Sequence, residues 1–333
     1  MRFVIHQEAL NGSDEVLALV DRLIDRVADE IHKIEVLDAD MVKSSAWYAS
    51  ARQTRKKILI SAISVPPRAS PSSDSMHSGT FDIADLDAAI MADRLAHAPL
   101  TILVEDREAD GVFLDMVVEE LASDEFKAIW KRGAESTPRA YEIVTSGGID
   151  AMPLRIERLV VDAQAESRPH RVFVYCDSDV RWPGDEGLTA KTRSDLKEKC
   201  RQHGIALHVL SKRNIENYIP DTVFQALQAE PYNHARQRVF DAFFKLTPLQ
   251  RDHFPIKDGL SRRERDEAHR AGLYVQADLE TLEALEERLL PKRPRPMITV
   301  KNERRDCITA AALKERDAQG ELELLLIKIA SEL

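Results

Sequence analysis

The stretch Thr101–Leu121, TILVEDREADGVFLDMVVEEL, decides the fold. A short apolar run, Ile102-Leu103-Val104, ends in Glu105 and Asp106 and is followed by apolar residues at helical spacing. That is the pattern of a strand, an acidic turn and a helix. In an open α/β sheet, ligands bind outside the carboxyl ends of the strands. The carboxylates of Glu105 and Asp106 are therefore expected at the mouth of a site.

Three further apolar runs repeat the pattern downstream. Tyr141–Val144 leads into Thr145-Ser146-Gly147-Gly148, Arg171–Cys176 into Asp177-Ser178-Asp179, and Ile205–Leu210 into Ser211-Lys212-Arg213. Between them the spacing predicts helices over Ala109–Leu121, Ile149–Gln164 and Ala190–His203, the last stopped by Gly204. Apolar strands alternating with helices predict an α/β fold: a Rossmann-like, four-stranded parallel sheet with helices on both faces. Right-handed crossovers set all four carboxyl ends on one edge.

Outside this unit the reading is coarser. Met1–His6 is expected as an edge strand, and Ser13 or Asp14 as the cap of a helix running to about Ile34. Ile58, Leu59, Ile60 and Ile63 suggest a strand. The Pro- and Ser-rich segment Val65–Thr80, VPPRASPSSDSMHSGT, reads as a linker or loop. A helix is expected over Asp82–His97. The expected organisation is a small α/β region of unknown role at 1–64, a linker at 65–81, the main domain at 82–220 and a mostly helical region at 221–333.

Composition bounds the function. The chain has 333 residues and a net charge of −10, which argues against a basic protein that coats nucleic acid but permits a local basic groove. Cys176, Cys200 and Cys307 form no CxxC pair, so neither a disulfide frame nor a structural zinc is expected. No secretory signal and no membrane-spanning apolar run can be read, which points to a cytoplasmic protein without a membrane partner.

The acids at the strand ends carry the chemistry. Two carboxylates a few ångströms apart repel by roughly 1–4 kcal/mol at surface-like dielectric. Glu105, Asp177 and Asp179 together therefore ask for a cation, and hard oxygen donors suit Mg²⁺ or Mn²⁺. The plainer alternative is that acids cap the helices that follow. Lys212, Arg213 and Glu216, in SKRNIENYIP (Ser211–Pro220), would add bases and a further acid at the same mouth. Against that stands an amphipathic turn with Ile215 and Tyr218 packed inward and the charges in solvent.

Glu after the first strand, Gly-Gly after the second, Asp-x-Asp after the third and IENY after the fourth together resemble the Toprim fold. They are most similar to Toprim nucleases of the OLD (overcoming lysogenization defect) family and to related phage-defence effectors. The resemblance covers about Leu100–Pro220 and extends to HFPIKDGL (His253–Leu260). It implies an endonuclease that hydrolyses phosphodiester bonds, with Glu105, Asp177 and Asp179 on Mg²⁺ or Mn²⁺, Glu216 in support and Lys257 stabilising phosphate charge. Nucleic acid is the implied partner, DNA ahead of RNA, with Lys212 and Arg213 as phosphate contacts and Arg262 and Arg263 as weaker candidates. A homodimer is compatible with the reading.

Two departures stand out. The family pattern places Gly after the Glu and an acid four residues beyond it. Here Asp106 and Ala109 occupy those positions, leaving Glu108 and Asp110 as candidates for a second metal. No G-x-x-x-x-G-K-[ST] is present, so any ATPase sensor would be a separate protein. ILVEDREAD also resembles the first strand of response-regulator receiver domains, with DSDVRWPGDEGL and Ser211 as counterparts of their later motifs. That alternative is a Mg²⁺-binding signalling module, receiver-like or inactive Toprim-like. The 72 residues from Glu105 to Asp177 are too many for a compact receiver.

Overall fold

The computed structural model describes residues 1–28, 32–63, 80–185, 190–230, 236–290, 292 and 295–333. It contains two parallel sheets. The strands are β1 (Arg2–Ile5), β2 (Lys33–Val36), β3 (Thr80–Ile83), β4 (Leu100–Val104), β5 (Tyr141–Thr145), β6 (Val172–Cys176) and β7 (Ala206–Val209). Their orders are β2-β1-β3 and β5-β4-β6-β7.

The second sheet is the one expected from the apolar runs. Every residue of β4 and β6 is buried, as continuous apolar strands at the centre of a parallel sheet require. Period-two alternation divides their side chains between two cores. Ile102, Val104, Phe173 and Tyr175 pack with Phe113, Leu114 and Val117 of the helix Arg107–Leu121. Leu103, Val174 and Cys176 face the helices Met152–Ala165 and Ala190–His203 through Met152, Ile156, Leu196 and Cys200. At roughly 1.5–3 kcal/mol for each large apolar side chain fully buried, these two faces hold the strand ends in place.

The helices after residue 220 share the first of these cores. Phe240, Phe243, Phe254, Leu285, Leu325 and Ile329 belong to the same apolar cluster as Phe113 and Val117. Arg171, at the entry to β6, ties in the end of the chain by donating to the carbonyls of Ala98 (2.7 Å), Glu332 (2.7 Å) and Leu333 (3.0 Å).

The N-terminal region differs from expectation at several points. Met1–His6 supplies a central strand, because β1 pairs with both β2 and β3. Ile58–Ile63 is not a strand but the end of the helix Gln53–Ile63, which buries Leu59. The helix capped by Ser13 ends at Val27, and Lys33–Val36 is a strand. Thr80–Ile83 is a strand too, and the next helix begins at Leu86, where Asp85 accepts the Ala88 N–H at 2.8 Å. That helix packs in the N-terminal core, Ala89, Ala92 and Leu95 lying with Leu19, Val20 and Leu23. Leu86–His97 thus belongs physically with the first sheet. Of the expected linker, 65–79 lies outside the described residues.

Candidate metal centre at the carboxyl edge

The four-stranded sheet begins with β4 and grows to one side through β5 and to the other through β6. The crevice where the strand order reverses is the place such sheets bind ligands. Glu105 and Asp177 leave β4 and β6 on its two sides, and the Asp177 N–H donates to Glu105 Oε1 at 3.2 Å. The turn after β5 is folded onto the same corner. Gly147 N–H donates to the Glu105 carbonyl at 3.2 Å, and Thr145 Oγ1 donates to it at 2.8 Å. Gly147 and Gly148 have φ of +86° and +122°, backbone that a side chain would strain.

Three more acids complete the cluster. Asp110, in the first turn of the helix Arg107–Leu121, is only 6% exposed and accepts the Asp106 N–H through Oδ2 at 2.7 Å. Tyr175 donates to the Asp110 carbonyl at 2.9 Å and props that turn from beneath. Asp177 accepts from Asn214 Nδ2 and from the Ile215 N–H, both at 2.9 Å. Asn214 also donates to Asp179 at 3.1 Å. Glu216, in the short 3₁₀ turn Ile215–Tyr218, is 1% exposed, and its Oε2 lies 3.1 Å from Lys257 Nζ.

The electrostatics follow from that burial. Desolvation, then the charges of Asp179 and Asp110, push the Glu105 carboxyl up to about 8. Asp177 and Asp110 lie well above the usual carboxylate range, first through burial and then through their acidic neighbours. Burial disfavours the Lys257 ammonium, but Glu216 and Asp177 outweigh it and raise its pKa. Among the described residues, no three acidic, imidazole or thiol groups already converge as ligands of one metal. The fit lies in the donor chemistry: hard oxygens, half-buried at Glu105, Asp177 and Asp179 and buried at Asp110, whose mutual repulsion a divalent cation would relieve.

The remaining expected residues fall elsewhere. Glu108 is exposed and pairs with Arg295, which also pairs with Asp106, so of the two second-metal candidates only Asp110 reaches the cluster. Asp106 itself is the helix cap, accepting the Glu108 N–H at 3.0 Å. Lys212 and Arg213 are not presented as phosphate contacts. Lys212 is buried, paired with Asp252 at 3.0 Å and bonded to the Arg316 carbonyl at 2.5 Å, and burial lowers its pKa to about 8. Arg213 is engaged by Glu264 and donates to the His253 carbonyl at 3.2 Å. Arg262 and Arg263 pair on the surface with Glu286 and Glu267.

The loop after β7 is braced by the helix Glu321–Glu332. Glu321 accepts the Ser211 N–H at 2.8 Å, lies 3.2 Å from His208 Nε2, and also accepts from Ser211 Oγ and the Tyr218 hydroxyl. Ser211, the counterpart of a receiver's hydroxyl residue, is thus committed to Glu321. Asn214 is the site residue that the sequence reading missed. Its signal is an Asn just ahead of IENY, an ordinary helix-cap position.

Comparison with known protein families, with curated proteins and with solved structures finds no match. Among the described residues no helix is long and apolar enough to cross a membrane.

Proposed function

We propose that the chain is a divalent-metal-dependent nuclease that hydrolyses nucleic-acid phosphodiester bonds on a Toprim-like sheet. The observation that carries the reading is half-buried Glu105 and Asp177 beside buried Asp110 at the switch point, each with a raised pKa. Each of the three accepts one main-chain N–H, but the cap of the helix Arg107–Leu121 is Asp106, so helix capping alone does not account for three acids at one corner. Buried groups perturbed by both desolvation and like charge, lying in a crevice, mark functional sites.

Glu105, Asp177 and Asp179 would hold Mg²⁺ or Mn²⁺, with Asp110 as the acid available for a second ion. When bound, the ion supplies Lewis-acid stabilisation of the charge that develops on the phosphate. Lys257, 3.1 Å from Glu216, would supply positive charge to a phosphate bound at these acids. Glu216 positions that lysine and stays out of solvent.

A plasmid-nicking assay with Mg²⁺ or Mn²⁺, run beside a labelled RNA substrate, tests the reading. Wild type is expected to cut, and Glu105→Gln and Asp177→Asn to lose about 10²-fold or more in rate. Equal rates in wild type and both variants would sink the assignment.

A further inference from the structure

We infer that Asn214 is a positioning residue that clamps Asp177 and Asp179 and so favours a small octahedral cation over calcium; this rests on the metal-dependent reading above. The side-chain amide has two N–H bonds. Nδ2 reaches Asp177 Oδ2 at 2.9 Å and Asp179 Oδ1 at 3.1 Å. The orientation of the amide is set by the acids themselves. Asn214 begins the turn Ile215–Tyr218, where its carbonyl accepts the Asn217 N–H at 3.0 Å and its own N–H donates to Asn217 Oδ1 at 2.9 Å. The turn fixes the backbone from which the two side-chain N–H bonds reach the acids. A flipped amide would set oxygen against both carboxylates.

The backbone repeats the tie. Asp179 sits at φ +53°, a left-handed conformation unusual for a residue with a side chain, and its N–H donates to the Arg213 carbonyl at 2.9 Å. The loops after β6 and β7 are therefore joined by main chain as well as by Asn214.

This arrangement limits how the acids can bind. Asp177 already accepts through both oxygens, from Asn214 and from the Ile215 N–H, and Asp179 accepts through Oδ1. Two-oxygen grip of a cation by either carboxylate would have to use the second lone pair of each bonded oxygen, in the carboxylate plane that these bonds fix. Calcium takes more oxygens and often binds both oxygens of a carboxylate, whereas Mg²⁺ and Mn²⁺ prefer six in an octahedron. The clamp thus leaves the acids suited to single-oxygen ligation.

The test is direct metal binding to the full chain, with Mn²⁺ followed by electron paramagnetic resonance and Ca²⁺ by calorimetry. Asn214→Ser separates the clamp from the cap: serine is a good helix-cap residue, but one O–H cannot bridge two carboxylates. The variant is expected to keep the wild-type melting midpoint in EDTA and to lose about tenfold in Mn²⁺ affinity. Its Ca²⁺ affinity is expected to change less, so the Mn²⁺/Ca²⁺ ratio narrows. Asn214→Gly, also tolerated at a cap, replaces it if the serine variant misfolds. An unchanged ratio overturns the selectivity, and wild-type binding of both ions overturns the clamp while leaving the metal site standing. Absence of Mn²⁺ binding by wild type itself overturns the metal reading on which the clamp depends.

Discussion

The sheets β2-β1-β3 and β5-β4-β6-β7 both begin with a strand that is then flanked on its two sides, so both possess a switch point. Their carboxyl edges are used differently. At the first, Asp38 accepts the Asp40 N–H and Asp85 the Ala88 N–H, both at 2.8 Å, while Asp82 meets His6 at 2.9 Å in solvent. These acids serve helix starts and a surface pair. At the second, Asp106 does the capping, and half-buried Glu105 and Asp177 are held beside buried Asp110 against their electrostatic interest. Topology offers a binding crevice twice; the gathering of raised-pKa acids sets the second edge apart and is what supports the proposed site there.

The largest expected effect sets the two edges against each other. Glu105→Gln and Asp177→Asn are expected to lower the nicking rate by about 10²-fold or more. Asp38→Asn and Asp85→Asn keep a capping side chain and are expected to leave the rate within about twofold. Initial rates measured side by side decide it. A loss at Asp85 as large as that at Asp177 would erase the distinction.

Stability sharpens the same contrast. Glu105 titrates at about 8 in the folded chain against an ordinary 4.5, so the fold holds a proton that the unfolded chain releases. Its contribution is complete below about 4.5 and is lost as pH rises through about 8. Glu105→Gln is therefore expected to stabilise the metal-free protein at pH 8 by on the order of 1–3 kcal/mol and to have little effect at pH 4. Asp85→Ala removes a cap and is expected to destabilise by about 1 kcal/mol. Urea unfolding in EDTA at the two pH values reads both signs. A destabilised Glu105→Gln at pH 8 would contradict the buried-charge account.

Much of the second sheet is legible in sequence because its two central strands are apolar runs that stop at an acid. LTILV and VFVYC are buried throughout, and nothing competes with that pattern. The first sheet hides because KIEV and TFDI are short and carry charges, while the more apolar Ile58–Ile63 is helical. An apolar run of that length has no period strong enough to separate strand from helix. Lys212 misleads for another reason. Its partners, Asp252 and the Arg316 carbonyl, lie far along the chain, and no local pattern predicts that a lysine at a strand end turns inward. Asp110 was visible only as an ambiguous acid, since its burial depends on how the first helical turn faces β6.

Glu321 offers a smaller test from the same half of the molecule, with the opposite sign. Burial opposes its charge, but bonds from His208, Ser211 and Tyr218 outweigh it and hold the carboxyl at about 2. Its contribution is present above the ordinary value of 4.5 and is lost as pH falls toward about 2. Glu321→Gln is expected to cost about 2 kcal/mol at pH 7, and the difference from wild type is expected to shrink as the pH falls toward 2. Thermal melts across that range measure it. A difference that stays constant to pH 2 would show packing, not charge, to be what the helix Glu321–Glu332 contributes.

The smallest effect concerns the exposed cations at the mouth. Arg295 pairs with Asp106 and Glu108 beside Glu105, and Lys292 pairs with Asp258 beside Lys257. Exposed pairs of this kind are worth about 0–1 kcal/mol, so Arg295→Ala is expected to leave stability nearly unchanged. On the proposed reading, the same weakness would let the guanidinium change partner when a phosphate binds. Lys212 lacks that freedom, because its ammonium is enclosed with Asp252. Anisotropy of labelled DNA across a salt series separates the two. Arg295→Ala is expected to reduce the slope of log affinity against log salt by about one, as for the loss of one phosphate contact. Lys212→Met is expected to leave the slope unchanged while lowering stability. A reversed pattern would return the phosphate contact to the strand-end lysine and make the Arg295 pairs simple surface neutralisation.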